Sequence, residues 1–390
     1  MFVRDRVAGL CIGKKDYFTD AYTNQLASVG MAILGVYPGW SGDTGDGAQF
    51  RRLIAELKAK NPNIIVGNYT VMTESRTDTS NTYANHDIPA KLNQMNWWLR
   101  NRAGAKVQWT TSYGAYDINL TDRVRTDSNG KRWSQWLAQR NHDKFFKHSF
   151  DFSYSDNGMK YPRTTANWLL DNVDRPGNDP LVGAAWRRGQ AAYWSELKRL
   201  SGKPIMVNAD NDLSYPEYTK KADFALIEGA IGKSWSFSTW ALLWARYNGQ
   251  MKNLTSAKGS VLNAYGTRSD YAKLRYALCT VLLGDGRLAY TDSAVDYGSV
   301  PWFDEYNIDL GEPLYSVYPT GPLVPGKPIW RRTYTKAQVY VNTSNTETQT
   351  VPVPAGWRRF KGTQDANANN GQAITSLTLG PKQGLILVKA

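Results

Sequence analysis

The stretch ANWLLDNVD, residues 166–174, places a carboxylate inside an apolar run and decides the predicted fold. The segment WLL precedes Asp171 and Asn172, and Val173 follows them. A short apolar run bounded by polar residues is typical of a strand buried on both faces. In a β/α barrel the C-terminal ends of the strands carry the chemistry. We therefore predict that Asp171 ends a barrel strand at the functional rim; the alternative is a loop aspartate that caps the next helix.

Outward from this stretch, the chain alternates between strand-like runs and amphipathic helical patterns. The helical spacing is clear in residues 50–60, whose apolar residues recur every three or four positions. The predicted strands are residues 7–13, 31–37, 63–69, 166–173, 204–209, 224–228, 259–265 and 287–290. Eight strands that alternate with helices over about 300 residues predict an α/β fold, a (β/α)8 TIM barrel. A doubly wound parallel sheet is the alternative.

One segment near residues 104–140 interrupts the alternation. It is rich in Trp and Tyr, and it contains the turn signal SNG at residues 128–130. We interpret it as a hairpin inserted at the third crossover, whose aromatic side chains line one wall of a groove.

The composition changes again from about residue 314. Pro and Gly separate short β runs, which are QVYVN at 338–342, QTVPV at 349–353 and GLILV at 384–388. Because no helical pattern lies between these runs, they predict a small antiparallel β-sandwich. The predicted domains are thus a barrel at residues 1–313 and a β domain at residues 314–390.

The composition narrows the class of partner. Aromatic residues make up 13% of the chain, with 15 Trp and 23 Tyr, and flat aromatic faces stack on sugar rings and on nucleobases. The net charge of +13 favours an acidic partner, although a well-solvated basic surface explains it equally well. The basic residues form no block of five or more and no established nucleic-acid motif, so we expect a carbohydrate partner and no nucleic acid.

Several other properties limit the function further. Cys11 and Cys279 lie in apolar segments and are expected to be free buried thiols. With three His and two Cys, we expect no transition-metal site and no cofactor. No apolar run approaches membrane-spanning length, so no membrane partner is expected. The start of the chain lacks the apolar core of a signal peptide, so secretion or cell-surface display is expected only if such a peptide was removed. Nothing in the sequence sets the oligomeric state.

Polar side chains gather at the predicted C-terminal ends of the strands. Such a ring of amides, phenols and carboxylates can hydrogen-bond sugar hydroxyls while two carboxyl groups carry out acid/base or nucleophilic chemistry. Besides the catalytic candidates, the predicted binding residues are Trp40, Asn68, Tyr69, Asn172, Asn208, Asp210, Asn263, Tyr265 and Asp292. Two of these, Asp210 and Asp292, are also weaker candidates for the second catalytic carboxylate.

The two predicted catalytic residues are Asp171 and Glu228, because each directly ends an apolar run. Burial of a carboxylic acid raises its pKa, as a general acid near neutral pH requires. We assign Asp171 as the nucleophile and Glu228 as the acid/base of glycoside cleavage. The alternative for Glu228 is a buried ion pair with Lys233 or Arg268.

These segments resemble the barrel glycoside hydrolases. The similarity rests on WLLDNVD, on FALIEG at residues 224–229, on RYALCTVLLGDGRLAYTD at residues 275–292, and on WRR at residues 330–332 before QVYVN. It is greatest to a poorly characterised group of hypothetical glycoside hydrolases with C-terminal β domains, and it spans nearly the whole chain. The resemblance implies a glycoside hydrolase that acts on an oligosaccharide or polysaccharide.

A nucleophile on strand four and an acid/base on strand six are similar to the arrangement in α-galactosidase-like barrels, which are retaining enzymes. This likeness favours an α-linked substrate. The insertion and the basic charge depart from those enzymes, so their substrate is not transferred, and an acidic glycan stays open if positive charge lines the groove. The competing hypothesis is a carbohydrate-binding or attachment protein on a barrel scaffold. Two carboxylates close together favour the hydrolase, and carboxylates far apart or held in ion pairs favour the binding protein.

Overall fold

The computed structural model describes residues 1–12, 19–35, 48–79, 85–147, 150–163, 168–170, 173–210, 212–254, 260–316 and 318–390. The strands are β1 (Ala8–Cys11), β2 (Met31–Leu34), β3 (Ile65–Val71), β4 (Glu74–Ser75), β5 (Tyr116–Asp117), β6 (Phe152–Asp156), β7 (Trp168–Leu170), β8 (Val173–Arg175), β9 (Ile205–Val207), β10 (Phe224–Ile231), β11 (Val261–Gly266), β12 (Arg287–Asp292), β13 (Ile329–Thr333), β14 (Ala337–Asn342), β15 (Gln349–Pro352), β16 (Trp357–Arg359), β17 (Ser376–Leu379) and β18 (Gln383–Lys389). The α-helices are α1 (Asp20–Ala27), α2 (Ala48–Lys60), α3 (Asp87–Met95), α4 (Trp133–Asn141), α5 (Pro180–Ser201), α6 (Pro216–Thr219), α7 (Trp240–Asn253) and α8 (Tyr271–Leu282).

Eight of these strands form one parallel sheet in the order β1-β2-β3-β6-β9-β10-β11-β12. A parallel bridge between Val7, just before β1, and Leu288 in β12 joins the two edges of the sheet. Helices connect most of the successive strands along the chain. The predicted (β/α)8 barrel is therefore confirmed.

The barrel strands are apolar on both faces, which explains their nearly continuous burial. Leu10, Ile33 and Met206 belong to one apolar cluster, whereas their chain neighbours Leu34 and Val207 belong to a second, larger cluster. Successive side chains of a strand point to opposite faces, so the first cluster fills the barrel and the second packs between the strands and the helices. Burying each such side chain contributes about 2 kcal/mol before conformational entropy is subtracted.

The prediction for the fourth barrel strand is wrong. The fourth strand is β6, which pairs with β3 on one side and β9 on the other. In the predicted segment, β7 instead pairs with β8 in a two-stranded antiparallel hairpin that extends to Arg175. The apolar run WLL looked more like a buried strand than FSYSD did, because β6 contains two serines. These serines are buried, and Ser155 Oγ accepts a hydrogen bond of 3.1 Å from the Trp194 indole.

The long connection from β3 to β6 carries the insertion. In it β4 pairs with β5, and α3 and α4 lie on either side of β5 in the chain. Residues 133–141 form α4 rather than the second arm of a hairpin. Trp133 is buried and stacks on Trp136 with a centroid distance of 5.6 Å, so it belongs to the core and not to a groove wall. The bounds given to the insertion stay a prediction.

The C-terminal part is antiparallel, as predicted. Strands β13, β14, β18 and β16 form one sheet, and β15 pairs with β17. Tyr340, Leu377 and Leu387 lie in an apolar cluster of their own. The division of the chain at residue 314 stays a prediction.

Two further findings concern the thiols and the helices. Cys11 and Cys279 are buried and not linked by a disulfide bond, as predicted for both thiols. Among the described residues, no helix is long and apolar enough to cross a membrane.

Candidate active site

Two carboxyl groups meet at the C-terminal ends of the barrel strands. Asp156 is the last residue of β6, Glu228 lies in β10, and Asn208 directly follows β9, the strand between them. The Asn208 side-chain amide donates one hydrogen bond of 2.9 Å to Asp156 Oδ1 and one of 2.9 Å to Glu228 Oε2. Because one nitrogen atom contacts both oxygens, the two oxygens are no more than twice 2.9 Å apart.

Asp156 is held by further donors. The Tyr69 hydroxyl donates to Asp156 Oδ2 over 2.7 Å, and the backbone N–H of Asn157 donates to Oδ1 over 2.9 Å. Asn157 has a φ of 53°, so the chain turns sharply just after the strand. Asp156 is thus fixed in position by contacts from its own strand end and from two neighbouring strands.

Glu228 is also held at both oxygens. Its Oε1 accepts a hydrogen bond from the Tyr297 hydroxyl, which in turn accepts one from the Tyr265 hydroxyl. Burial, and then the negative charge of Asp156, raise the pKa of Glu228 above its ordinary value. Glu228 can therefore keep a proton at a pH at which an exposed glutamate would have lost it.

A β-bulge positions Glu228. The register of β10 against β11 shifts after Ile227, and Gly229 has a φ of 58°, a left-handed conformation that favours glycine. The Gly229 N–H donates to Asn263 Oδ1 over 3.1 Å, and the Ser236 hydroxyl donates to the Gly229 carbonyl over 2.7 Å. Bulges of this kind redirect a side chain next to a functional site.

The ion pairs considered for Glu228 from the sequence do not form in the described part of the chain. Arg268 pairs with Asp292 at 2.5 Å, and the Lys233 ammonium lies 3.8 Å from the centre of the Tyr265 ring. Neither Lys233 nor Arg268 therefore neutralises Glu228 through an ion pair.

The structure brings together four of the residues predicted from the sequence: Tyr69, Asn208, Glu228 and Tyr265. Asp210 is exposed on a turn, with a φ of 50°. Three of the predicted residues, Trp40, Asp171 and Asn172, lie outside the described residues.

Two predicted amides serve the interior of the protein. Asn263 is fully buried, and its Nδ2 donates to the Ala289 carbonyl and to the Thr291 hydroxyl. Asn68 is fully buried as well, and its Oδ1 accepts from Thr70 Oγ1 over 3.0 Å.

Sequence reasoning missed two residues of this cluster. Asp156 carried the strand-end signal, because it directly follows the alternating segment FSYS, but the buried serines masked that strand. Tyr297 lies in the loop after β12 and had no local signal, since only the fold brings it to Glu228. The described residues contain no group of three or more side chains arranged to hold a metal ion.

The chain is similar to one protein family and to several solved structures. The model of hypothetical glycosyl hydrolase family 15 matches residues 58–338. Amy13B from Eubacterium rectale aligns with a TM-score of 0.53 and 10% identity, covering 100% of this chain and 96% of that one. The α-amylase of Geobacillus thermoleovorans, in complex with acarbose, aligns with a TM-score of 0.51 and 11% identity, covering 99% and 98%. The pullulanase of Bacillus acidopullulyticus aligns with a TM-score of 0.51 and 11% identity, covering 100% of this chain and 61% of that one.

No curated protein matches the chain in sequence. At 10–11% identity, the likeness to solved structures shows the barrel fold alone.

Proposed function

The chain belongs to hypothetical glycosyl hydrolase family 15 and is a glycoside hydrolase; on that premise we propose that Asp156 and Glu228 are its two catalytic carboxyl groups. The proposal rests above all on one observation: the Asn208 side-chain amide donates a hydrogen bond to each of the two carboxyl groups. The proposed substrate is an oligosaccharide or polysaccharide with an α linkage.

Glu228 is the proposed acid/base. Its raised pKa keeps the proton that the leaving glycosidic oxygen needs as the bond breaks. In the second half of the reaction Glu228, now ionised, takes a proton from the attacking water. The Tyr297 hydroxyl and the Asn208 amide hold its two oxygens in place through both steps.

Asp156 is the proposed nucleophile. Its oxygen attacks the anomeric carbon as the bond to the leaving oxygen breaks, and water later displaces it, so the configuration is retained. Retaining glycosidases hold their two carboxyl groups about 5 Å apart, and the shared amide of Asn208 supports a spacing of this size. Asp171, whose position is not described, remains a rival candidate for this role.

The α linkage rests on the order of the strands. Asp156 ends the fourth barrel strand and Glu228 lies in the sixth, the arrangement that the α-galactosidase-like barrels share. This support is a likeness of position and does not identify the sugar.

The competing hypothesis of a non-catalytic binding protein is less well supported. It expects carboxylates that are far apart or neutralised by cations. Within the described residues, Asp156 and Glu228 share an amide donor, and neither has a Lys or Arg nitrogen within the 4.0 Å of an ion pair.

The proposal is tested by reducing-end release from a panel of α- and β-linked glycans, followed by the Glu228→Gln variant on the best substrate. Loss of a general acid is expected to lower glycan hydrolysis by 100-fold or more, and to affect aryl glycosides far less because their leaving groups need little protonation. Glu196→Gln, at an exposed ion pair with Arg199, is the matched control. Wild-type protein that binds glycans and releases no reducing ends would contradict the proposal.

A further inference from the structure

A second pair of carboxyl groups lies beside the candidate active site, on the insertion. Glu74 in β4 stands directly opposite Asp117 in β5 in their antiparallel pairing. Like charges that face each other across two strands destabilise the pairing. Such a pair costs stability unless a cation or a bound proton offsets one of the charges.

Neither carboxyl group has its own ion-pair partner within the described residues, where no Lys, Arg or His nitrogen lies within 4.0 Å of them. The Trp109 indole N–H donates to Glu74 Oε2. Asp117 is only 4% exposed, and its Oδ2 accepts no hydrogen bond from any described group. A buried carboxylate oxygen without a donor is costly, so it points to a group that is supplied from outside the chain.

Arg163 compensates the negative charge of this pair only in part. The positive charge of Arg163 acts on Glu74 and on Asp117. Its guanidinium, however, stacks on the Trp109 ring, with its central carbon 4.2 Å from the ring centre, instead of forming an ion pair with either carboxyl group.

Asp117 lines a pocket whose wall also contains the residue that follows the proposed nucleophile. Trp109, Arg163 and Asn157 lie in the wall of this pocket together with Asp117. Asn157 directly follows Asp156 in the chain, and the charge of Asp156 acts on Glu74. A sugar unit adjoining the cleaved bond therefore comes within reach of Asp117.

We propose that Glu74 and Asp117 bind the ammonium group of an amino sugar, so that the substrate contains hexosamine units with free amino groups. This inference rests on the proposed glycosidase function. An ammonium group carries three N–H donors and a positive charge. One donor can hydrogen-bond the unpaired Oδ2 of Asp117, and the charge can neutralise the repulsion between the two facing carboxylates. A sugar hydroxyl would satisfy Oδ2 but would supply no positive charge to the two carboxyl groups.

The first test is calorimetric titration with methyl α-D-glucosaminide and with its N-acetyl derivative, which lacks the charge. The wild-type protein is expected to bind the free amine about tenfold more tightly, the size of one hydrogen bond to a charged group. Asp117→Asn and Glu74→Gln are each expected to abolish this preference. Asp122→Asn, a surface carboxylate of the same insertion that pairs with Arg188, should keep it. Equal affinity for the two glycosides in the wild-type protein overturns the inference.

The second test separates a ligand-binding carboxylate from a structural one. Burial, and then the charge of Glu74, raise the pKa of Asp117 to about 7, with Arg163 opposing this shift. Between about pH 4 and pH 7 the native state therefore holds a proton on Asp117 that the unfolded chain has released. Because the native state binds more protons in this range, the free energy of unfolding falls as the pH rises from about 4 to 7. Asp117→Asn is therefore expected to raise the melting temperature above pH 7 and to leave it unchanged near pH 4. A variant that melts lower at both pH values would show a structural role and overturn the inference.

Failure of the two proposals is distinguishable. A preference for the amine without hydrolysis of any glycan would overturn the glycosidase mechanism and support the ammonium site. Hydrolysis of neutral glycans without a preference for the amine would do the reverse.

Discussion

At the scale of single residues, the centre of the site is the amide of Asn208. Two carboxyl groups at this distance repel each other when both are ionised, and the pair is stable with one of them protonated. The two N–H bonds of Asn208 fix which oxygens face each other. Asn208 is thus a positioning residue, which acts through Asp156 and Glu228.

Asn208→Ala is expected to lower kcat by about 10- to 100-fold, because both carboxyl groups lose an orienting donor. The hydrogen bond that the Asn208 amide donates to Glu228 lowers the pKa of Glu228, so loss of this hydrogen bond should raise that pKa further. The alkaline limb of the pH–rate profile, where the acid loses its proton, is then expected to move to higher pH. An unchanged profile with an unchanged kcat would contradict this role.

The sequence predicts a site residue at a strand end only where it also predicts the strand. Asn208 and Glu228 follow or end clear apolar runs, and both lie in the site. Asp156 was hidden because its strand alternates aromatic residues with serines whose hydroxyls are buried. Tyr297 was beyond prediction, since a loop residue reaches Glu228 only through the closed barrel.

At the scale of elements, the bulge in β10 determines where Glu228 points. A strand of regular register would keep one side chain per pairing position, whereas the shift after Ile227 breaks that alternation. Gly229 makes the bulge possible through its φ of 58°. An added Cβ at this position would lie 2.4 Å from the Trp235 indole nitrogen.

Gly229→Ala is therefore expected to lower kcat/KM by tenfold or more, because both the backbone conformation and the contact with Trp235 must change. Circular dichroism should remain that of the folded protein. The control is Gly249→Ala, in α7, where an added Cβ meets no atom within 4 Å. Full activity of Gly229→Ala would show that the bulge does not set the position of Glu228.

The insertion and the hairpin of β7 and β8 show why the prediction of elements failed between the third and fifth barrel strands. Strands β4 and β5 contain two residues each, whereas the apolar run WLL of the hairpin is typical of a buried strand. Pairing partners far away in sequence decide which of such runs enters the barrel. Local periodicity does not contain that information.

At the scale of the whole molecule, buried charges join the barrel to the C-terminal sheets. Arg275 in α8 is 7% exposed and pairs with Glu305 Oε1 at 3.2 Å and with Asp365 Oδ2 at 2.6 Å. Asn369 donates to the same oxygen of Glu305 over 2.8 Å. Helix α8 also packs against β14 and β18.

Arg275→Met is expected to lower the free energy of unfolding by about 3 kcal/mol, because the buried carboxylate of Glu305 loses its cation. Denaturant titration measures this change. Arg199→Met, which removes an exposed pair with Glu196, should cost less than about 1 kcal/mol. Equal effects of the two substitutions would show that the buried network does not stabilise the junction.

The net charge of the whole chain is positive, whereas carboxyl groups gather around the candidate site. The net charge is +13, yet Asp156 raises the pKa of Glu228 and of Glu74, and Glu74 raises the pKa of Asp117. At physiological salt, distant surface charges are screened within about 8 Å, so these carboxyl groups dominate recognition. An acidic glycan, which the net charge alone would favour, is therefore expected to be attracted to the basic surface and repelled by the carboxyl groups of the site.

The identity of the nucleophile is tested most directly by measuring glycan hydrolysis by Asp156→Asn and Asp171→Asn side by side on the substrate found in the panel. Asp156→Asn is expected to lower kcat by 1,000-fold or more, on the order of the loss of a covalent nucleophile, with both variants folded. Asp171→Asn is expected to keep kcat within about threefold of the wild type, the range of a residue outside the chemistry. Full activity of Asp156→Asn with loss of activity in Asp171→Asn would contradict the account and assign the nucleophile to Asp171.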